Sequence, residues 1–410
     1  MNEHFEQLES ALQQVTGFIY PNEVELHWGL LVVIYPYLTG LVAGAFILAS
    51  LEKVFNVKEV EPTYRLAMLT ALAFLIVAPL PLLAHLGHPE RSFEIFLTPH
   101  FKSAMAMFGF VYAWYLMVVL LLEIWFEYRA DLIAWRKNAR GLMKLIYWLM
   151  SLGSKDDSPR AVAFDKKAVY VITLIGIPSA FLLHGYVGFI FGSVKANPWW
   201  SSVLMPIVFL FSAIVSGIAL VLLLYYVSSM FRRKAPDMMC LDKLASFLMY
   251  ALIVDLSLEL LDFTHRLYES EESIKILREL IASKLFISLT IVQLLLGTIG
   301  PIVMLAASRF SRLPAEAKRV VYVVAALLVQ VGIFSTRWNV VMGGQLFSKS
   351  LRGLTVYKPQ LGGAEGLFVG IGLLVLPFVF LYVLVKLLPP WEEDKAAGPL
   401  PPAQEEPSSS

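Results

Sequence analysis

Cysteine is nearly absent, with Cys240 the only one in 410 residues. One thiol excludes an intramolecular disulfide, a thiolate zinc site and a cysteine-ligated iron–sulfur cluster within this chain. Any such cluster belongs to a partner. Charge is scarce as well: 16% of residues are charged and 58% hydrophobic, where soluble domains average about 25% and about 45–50%. That excludes a soluble globule and points to a polytopic membrane protein. Lys and Arg are missing from the first 27 residues, which carry Glu3, Glu6, Glu9, Glu23 and Glu25. The basic start of a cleaved signal peptide is therefore lacking, and the first apolar span is expected to stay as a helix. A net charge of +1 offers no basic stripe for a nucleic-acid partner.

What is present is a succession of apolar runs near 28–50, 64–86, 102–125, 167–192, 202–229, 241–263, 282–307, 318–336 and 365–388. Each is long enough to cross a hydrocarbon core of about 30 Å. The expected fold is an all-α integral membrane protein of about nine spans. Residues 131–152 interleave Arg136, Lys137, Arg140 and Lys144 with Trp135, Trp148 and leucines, which suits an amphipathic helix lying on the interface. With the N-terminus outside, the inner loops and tail collect about 22 Lys and Arg against about 11 outside, so the N-terminus is assigned outside and the C-terminus to the cytoplasm. Residues 1–27 then form an outer segment, 28–388 the membrane domain, and 389–410, rich in Pro, Glu and Ser, a disordered cytoplasmic tail. All seven histidines fall on or near the outer side in this topology, none mid-membrane with a facing partner. A haem pair or soft metal site is therefore not expected, and no residue is assigned to a metal.

Four clusters are candidates to carry chemistry. The stretch from Phe181 to Trp200 loads the end of a span with His184, Gly185, Gly188 and Gly192: a histidine in hydrocarbon is usually functional, and the glycines bare a face for another backbone or a flat ligand. Near the first span, Asn22, Glu23, Glu25, His27 and Trp28 precede Tyr35-Pro36-Tyr37-Leu38-Thr39-Gly40. Trp28, Tyr35 and Thr39 share a helical face, which reads either as a ligand wall or as an aromatic belt with small-residue packing. In the sixth span Asp255, Glu259, Asp262 and Arg266 fall within about 60° of one another. Three carboxyl groups at that spacing suit a proton relay; the alternative is a structural partner for Arg266 or a cation site. Glu123 and Gln293 are candidate continuations of the path. Beyond the eighth span, Arg337, Trp338, Asn339 and Gln345 flank Gly343-Gly344 and read as a structured outer loop, a docking surface or a pocket rim.

Together Tyr35 to Gly44, His184-Gly185-Tyr186-Val187-Gly188 through Trp200, and Arg337-Trp338-Asn339-Val340-Val341-Met342-Gly343-Gly344-Gln345 resemble the NrfD, or polysulfide-reductase, family of membrane subunits, with the last motif nearest the DsrP/HmeB branch. The resemblance spans most of residues 20–388. It implies a core of two four-helix bundles plus an extra C-terminal helix, no redox centre in the chain, and a quinone pocket near the outer surface. His27-Trp28 resembles a His-Trp pair of the family, and Tyr35 stands where one relative has a histidine. The implied quinone-binding residues are His27, Trp28, Tyr35, Thr39 and His184.

The expected role is a subunit of the cytoplasmic membrane that oxidises menaquinol near the outer face and passes electrons to an outer ferredoxin-like iron–sulfur subunit. Proton translocation is left open. The branch further implies a multihaem cytochrome c, a cytochrome-b-like membrane subunit and a cytoplasmic Hdr-like iron–sulfur subunit, besides membrane lipid. The alternatives are an ion or proton transporter using the sixth-span stripe and a passive anchor.

Overall fold

The computed structural model describes residues 12–391, apart from 14, 25, 27, 99 and 270–272 and the side chains of 104–106, 267 and 269. His27 and the tail from 392 onward lie outside the described residues.

Among these, nine helices are long and apolar enough to cross a membrane: α1 Leu30–Lys53, α2 Lys58–His85, α3 Met107–Asn138, α4 Pro159–Gly192, α5 Met205–Phe231, α6 Met238–Arg266, α7 Phe286–Phe310, α8 Ala315–Gly343 and α9 Leu367–Leu387. They overlap the nine apolar runs one for one. Helices α1–α4 form one four-helix bundle and α5–α8 a second, joined where α1 packs on α5 and α8. The ninth helix lies against α2. Burial ranks these positions, because 89% of the most apolar window of α1 is enclosed against 17% for α9. A helix apolar on every side is stable only where protein or lipid covers every side; α1 is covered by protein, and α9 leaves most of its surface for lipid.

Small residues set the closest approach. A Cβ on Gly44 would stand 2.0 Å from the Ala213 carbonyl oxygen, and one on Gly217 2.2 Å from the Gly44 carbonyl carbon. The α1 and α5 backbones therefore touch, as small-residue crossings allow. Gly297 and Gly332 make the same kind of contact between α7 and α8. Two helices depart from α geometry, over Tyr115–Leu120 in α3 and Phe286–Ile299 in α7, where the turns widen to π.

Helix boundaries differ from the hydropathy reading, first around residues 131–152 and at the C-terminal end. The expected single helix over 131–152 is divided: residues 131–138 complete α3, and Gly141–Met150 is a separate helix. Asp131 stays in α3 because Arg65 of α2 grips it at 2.7 Å and Glu127 at 2.8 Å, while Arg140 is extended and Gly141 takes φ +57° at the break. At the other end, Pro389 and Pro390 are buried, and the Arg232 guanidinium lies 4.3 Å from the Trp391 ring centre. The packed domain thus extends to 391.

The end of the molecule nearest Trp28 carries a cap. Strand β1, Thr16–Phe18, pairs antiparallel with β2, Arg352–Leu354. Ser348 donates to the Glu23 carboxylate, the Lys349 amide to the same group at 3.2 Å, and Thr355 to the Val24 carbonyl at 3.2 Å. The segment before α1 and the loop after α8 thus fold as one unit.

Candidate functional site

The eighth span does not stop at 336. Helix α8 runs to Gly343, so Arg337, Trp338 and Asn339, expected beyond its end, lie within it. The hydropathy window ends at Arg337 because a guanidinium reads as solvent-exposed, yet this one is 0% exposed. A buried charge persists only where polar groups meet it, and those groups come from two other helices. Its Nη2 reaches Ser212 Oγ at 2.6 Å, the Phe209 carbonyl at 3.4 Å and His184 Nε2 at 3.1 Å, with the Phe209 ring centre 4.2 Å from the guanidinium carbon.

The tautomer of His184 follows. Arginine only donates, so Nε2 accepts, and the ring hydrogen sits on Nδ1, 3.3 Å from Thr39 Oγ1. Thr39 in turn donates to the Tyr35 carbonyl at 3.1 Å, a carbonyl in the turn loosened by Pro36. The His184 ring is 0% exposed, and both of its nitrogens are engaged. Gly40 makes room for it: a Cβ there would lie 3.1 Å from His184 Cε1.

Three residues in this region bury polar atoms without a partner: the Tyr35 hydroxyl, Arg337 Nε and Nη1, and Asp255 Oδ1. Tyr35 meets Phe108 edge-on at 5.4 Å, and Phe108 stacks on Tyr186 at 6.2 Å, so its hydroxyl sits among aromatic rings. Arg337 and Asn339, two residues apart on α8, face different clusters: Arg337 meets His184 and Ser212, and Asn339 reaches Glu259 of the α6 stripe through Gln293.

The stripe divides by partner. Asp262 is ion-paired with Arg266 at 2.9 Å and accepts from Ser202, while Arg266 also caps the Pro198 and Trp199 carbonyls. This carboxylate has the structural partner that the sequence offers as the alternative to a relay. Glu259 accepts from Gln293 at 3.0 Å, Gln293 from Asn339 at 2.7 Å, and Asn339 from Ser288 at 2.6 Å. Asp255 is 2% exposed and keeps one oxygen unpartnered.

The remaining sequence candidates gather elsewhere. Trp28 precedes α1 and exchanges backbone hydrogen bonds with the Gln345 amide at 3.1 and 3.2 Å, and its ring stacks on Trp200 at 5.3 Å. A chain of ring contacts through Phe191 and Phe209 connects it to His184. Trp338 packs on Tyr357. Arg337 and Asn339 are buried, so neither presents a docking surface. Sequence reasoning missed Ser212, Phe209 and the Tyr37–Gln330 hydrogen bond of 2.7 Å; the one signal for the first was a serine pair, Ser212 and Ser216, spaced one turn apart in the apolar first half of α5. Among the described residues no three His, Cys, Asp or Glu side chains converge as metal ligands. A groove of about 480 Å³, lined by Trp125, Arg129, Arg160 and Phe164, lies toward the opposite end of α4 from His184.

The family model for "Polysulphide reductase, NrfD" matches residues 21–349, a range that holds the entire His184–Arg337 node. The chain belongs to the NrfD family. It is 32% identical over 386 residues to a selenate reductase subunit of Mesobacillus selenatarsenatis, covering 90% of this chain and 87% of that protein. A putative dimethyl sulfoxide reductase membrane subunit of Halobacterium salinarum is 30% identical across 51% of the chain and 45% of its own length. The Hdr-like menaquinol oxidoreductase integral membrane subunit of Archaeoglobus fulgidus is 24% identical across 51% and 44%. This NrfD-family chain is thus a multi-pass membrane protein whose polar residues converge where its two bundles meet.

Proposed function

We propose that this chain is the quinone-interacting membrane subunit of a respiratory oxidoreductase complex. The observation that carries the reading is the set of unpartnered donors, the Tyr35 hydroxyl and Arg337 Nε and Nη1, buried beside the aromatic rings of Phe108 and Phe209. A quinone headgroup is flat, apolar on its faces and acceptor-bearing at its edges, and sites for such ligands combine an apolar lining with a few placed polar groups. The donor set and the rings fit it. Tyr35 and Arg337 would hold the headgroup, with His184 and Thr39 fixing Arg337 and the first-helix turn from behind.

When bound, a quinol supplies two electrons and two protons. The chain lacks a cysteine set for a cluster, so the electrons go to a partner, and the relatives' names as subunits of selenate reductase, dimethyl sulfoxide reductase and menaquinol oxidoreductase support such an assembly. We assign quinol oxidation near the outer face of the cytoplasmic membrane, an outer ferredoxin-like iron–sulfur subunit as acceptor, and menaquinone as carrier. Asp255 and Glu259 take up and pass on the protons, while Asp262 anchors Arg266. A passive anchor has no use for an arginine buried against a histidine.

The test is binding of a menaquinone analogue to the full chain in membranes. Tyr35→Phe is expected to weaken it roughly 5- to 30-fold, the equivalent of about 1–2 kcal/mol for one buried hydrogen bond, and His184→Ala to weaken it by releasing Arg337. Unchanged affinity in both variants, with both inserted normally, would overturn the assignment.

A further inference from the structure

The first bundle holds a buried carboxyl group that the quinone reading does not use. Glu123 of α3 is 0% exposed. Its Oε1 lies 3.0 Å from the Tyr64 hydroxyl of α2 and 2.7 Å from Thr173 Oγ1 of α4, while its Oε2 is buried without a partner. Neither of these contacts is to a Lys or Arg. Thr173 lies eleven positions from His184 along α4, about 16 Å at 1.5 Å per residue, toward the opposite end of the molecule. Glu123 therefore sits apart from the His184 node, with hydrogen-bond partners on α2 and α4.

The hydrogen bonds around Glu123 accommodate two protonation states with the same heavy-atom positions. Thr173 has one hydroxyl hydrogen and two acceptors for it, Glu123 Oε1 at 2.7 Å and the Val169 carbonyl at 2.8 Å. When Glu123 is ionised, Thr173 and Tyr64 both donate to Oε1. When it is protonated at Oε1, it donates to Thr173, whose hydrogen turns to Val169, and Tyr64 still donates. An unpaired buried carboxylate is strongly disfavoured, so the neutral form has the lower desolvation penalty, and gaining or losing the proton moves only hydrogens.

A charged cluster stands beside this site. Lys53 Nζ lies 4.1 Å from the centre of the Tyr64 ring that bonds Glu123 and pairs with Glu52 at 3.2 Å and Glu127 at 3.5 Å. Glu127, one turn from Glu123, also holds Arg65, which reaches Asp131. Tyr115, on the same helix, has a buried hydroxyl without a partner. The side chains of Lys53, Glu52 and Glu127 keep about a fifth of their surface open, so water reaches the cluster.

We propose that Glu123 is a proton-binding site of the first bundle, held by Tyr64 and Thr173 and exchanging its proton with water at the Lys53–Glu52–Glu127 cluster. One proton adds to Oε1 from that water and returns to it; no electron moves. The ligand is the proton itself, and the site stands whether or not Tyr35 and Arg337 bind a quinone.

The experiment is infrared difference spectroscopy of the full chain in membranes across a pH titration. A carbonyl stretch of a protonated buried carboxylic acid, sensitive to deuterium exchange, is expected and should disappear in Glu123→Gln. Tyr64→Phe removes one donor from the protonated oxygen and should shift the band, and this variant keeps the test decisive if Glu123→Gln does not fold. Tyr35→Phe, in the other polar region, should leave the band unmoved. A protonated-carboxyl signal absent at every pH, or one indifferent to both Glu123→Gln and Tyr64→Phe, would overturn the proposal.

Discussion

The carboxyl groups of α6 differ residue by residue in what they touch, so they need not act alike. Glu259 accepts from Gln293 and Asp255 keeps one oxygen without a partner, whereas Asp262 is tied to Arg266 and Ser202. Glu259→Gln keeps the volume and the hydrogen bond to Gln293 but removes the proton-carrying group; it is expected to slow proton-coupled turnover of the assembled complex and leave quinone affinity nearly intact. Asp262→Asn should instead lower thermal stability by about 1–3 kcal/mol, since it unpairs a largely enclosed arginine, without a selective effect on turnover. Measuring both variants separates relay from scaffold: equal loss of quinone binding in Glu259→Gln would move Glu259 into the pocket, and a selective turnover defect in Asp262→Asn would return Asp262 to the relay. The sequence showed these carboxyls at one face because helical spacing is a property of the residues themselves. It offered Arg266 on the same helix as a partner but could not show which carboxyl group it takes, because the groups that settle this come from elsewhere: Gln293 of α7 holds Glu259, and Ser202 with the Pro198 and Trp199 carbonyls fixes Asp262 and Arg266.

At the scale of elements, hydropathy located all nine helices and misjudged where two of them end. A sliding apolar window registers the lipid-crossing part of a helix and stops at the first charges; α3 continues through Glu127 and Asp131 because Arg65 neutralises them, and α8 continues through Arg337 because His184 and Ser212 receive it. Both extensions depend on contacts between helices far apart in sequence. The glycines were legible as small-residue faces, but only the packed structure separates their roles. Gly40 adjoins the His184 ring, whereas Gly44 adjoins the α5 backbone. Gly44→Ala places a methyl against a carbonyl that cannot yield without separating α1 from α5, and should destabilise the chain by about 1–3 kcal/mol. Gly40→Ala meets a side chain able to shift, so its effect should fall on quinone affinity first. Unfolding midpoints in detergent, compared between the two variants, check the order; equal midpoints would remove the argument that the α1–α5 crossing rests on backbone contact.

Across the whole molecule, the polar residues are sorted by end. The cap of β1 and β2, Trp28 with Trp200 and the His184 node lie toward the end where α1 begins; Lys53, the Arg65 network and the Arg129–Asp165 ion pair of 2.7 Å lie where it finishes. By the positive-inside rule the excess of Lys and Arg on that second side predicts a cytoplasmic location for it, and Cys240 provides a clean background for testing the prediction, because the only thiol in the chain is buried. Lys349 and Lys155 are exposed at opposite ends. A membrane-impermeant maleimide added to intact spheroplasts is expected to label Lys349→Cys and to spare Lys155→Cys until the membrane is permeabilised. The reverse pattern would place Tyr35 and Arg337 near the cytoplasmic face and the Glu123 cluster near the outer one. An outer iron–sulfur partner would then lie too far from the proposed quinone site to take its electrons, and the acceptor would have to be sought on the inner side.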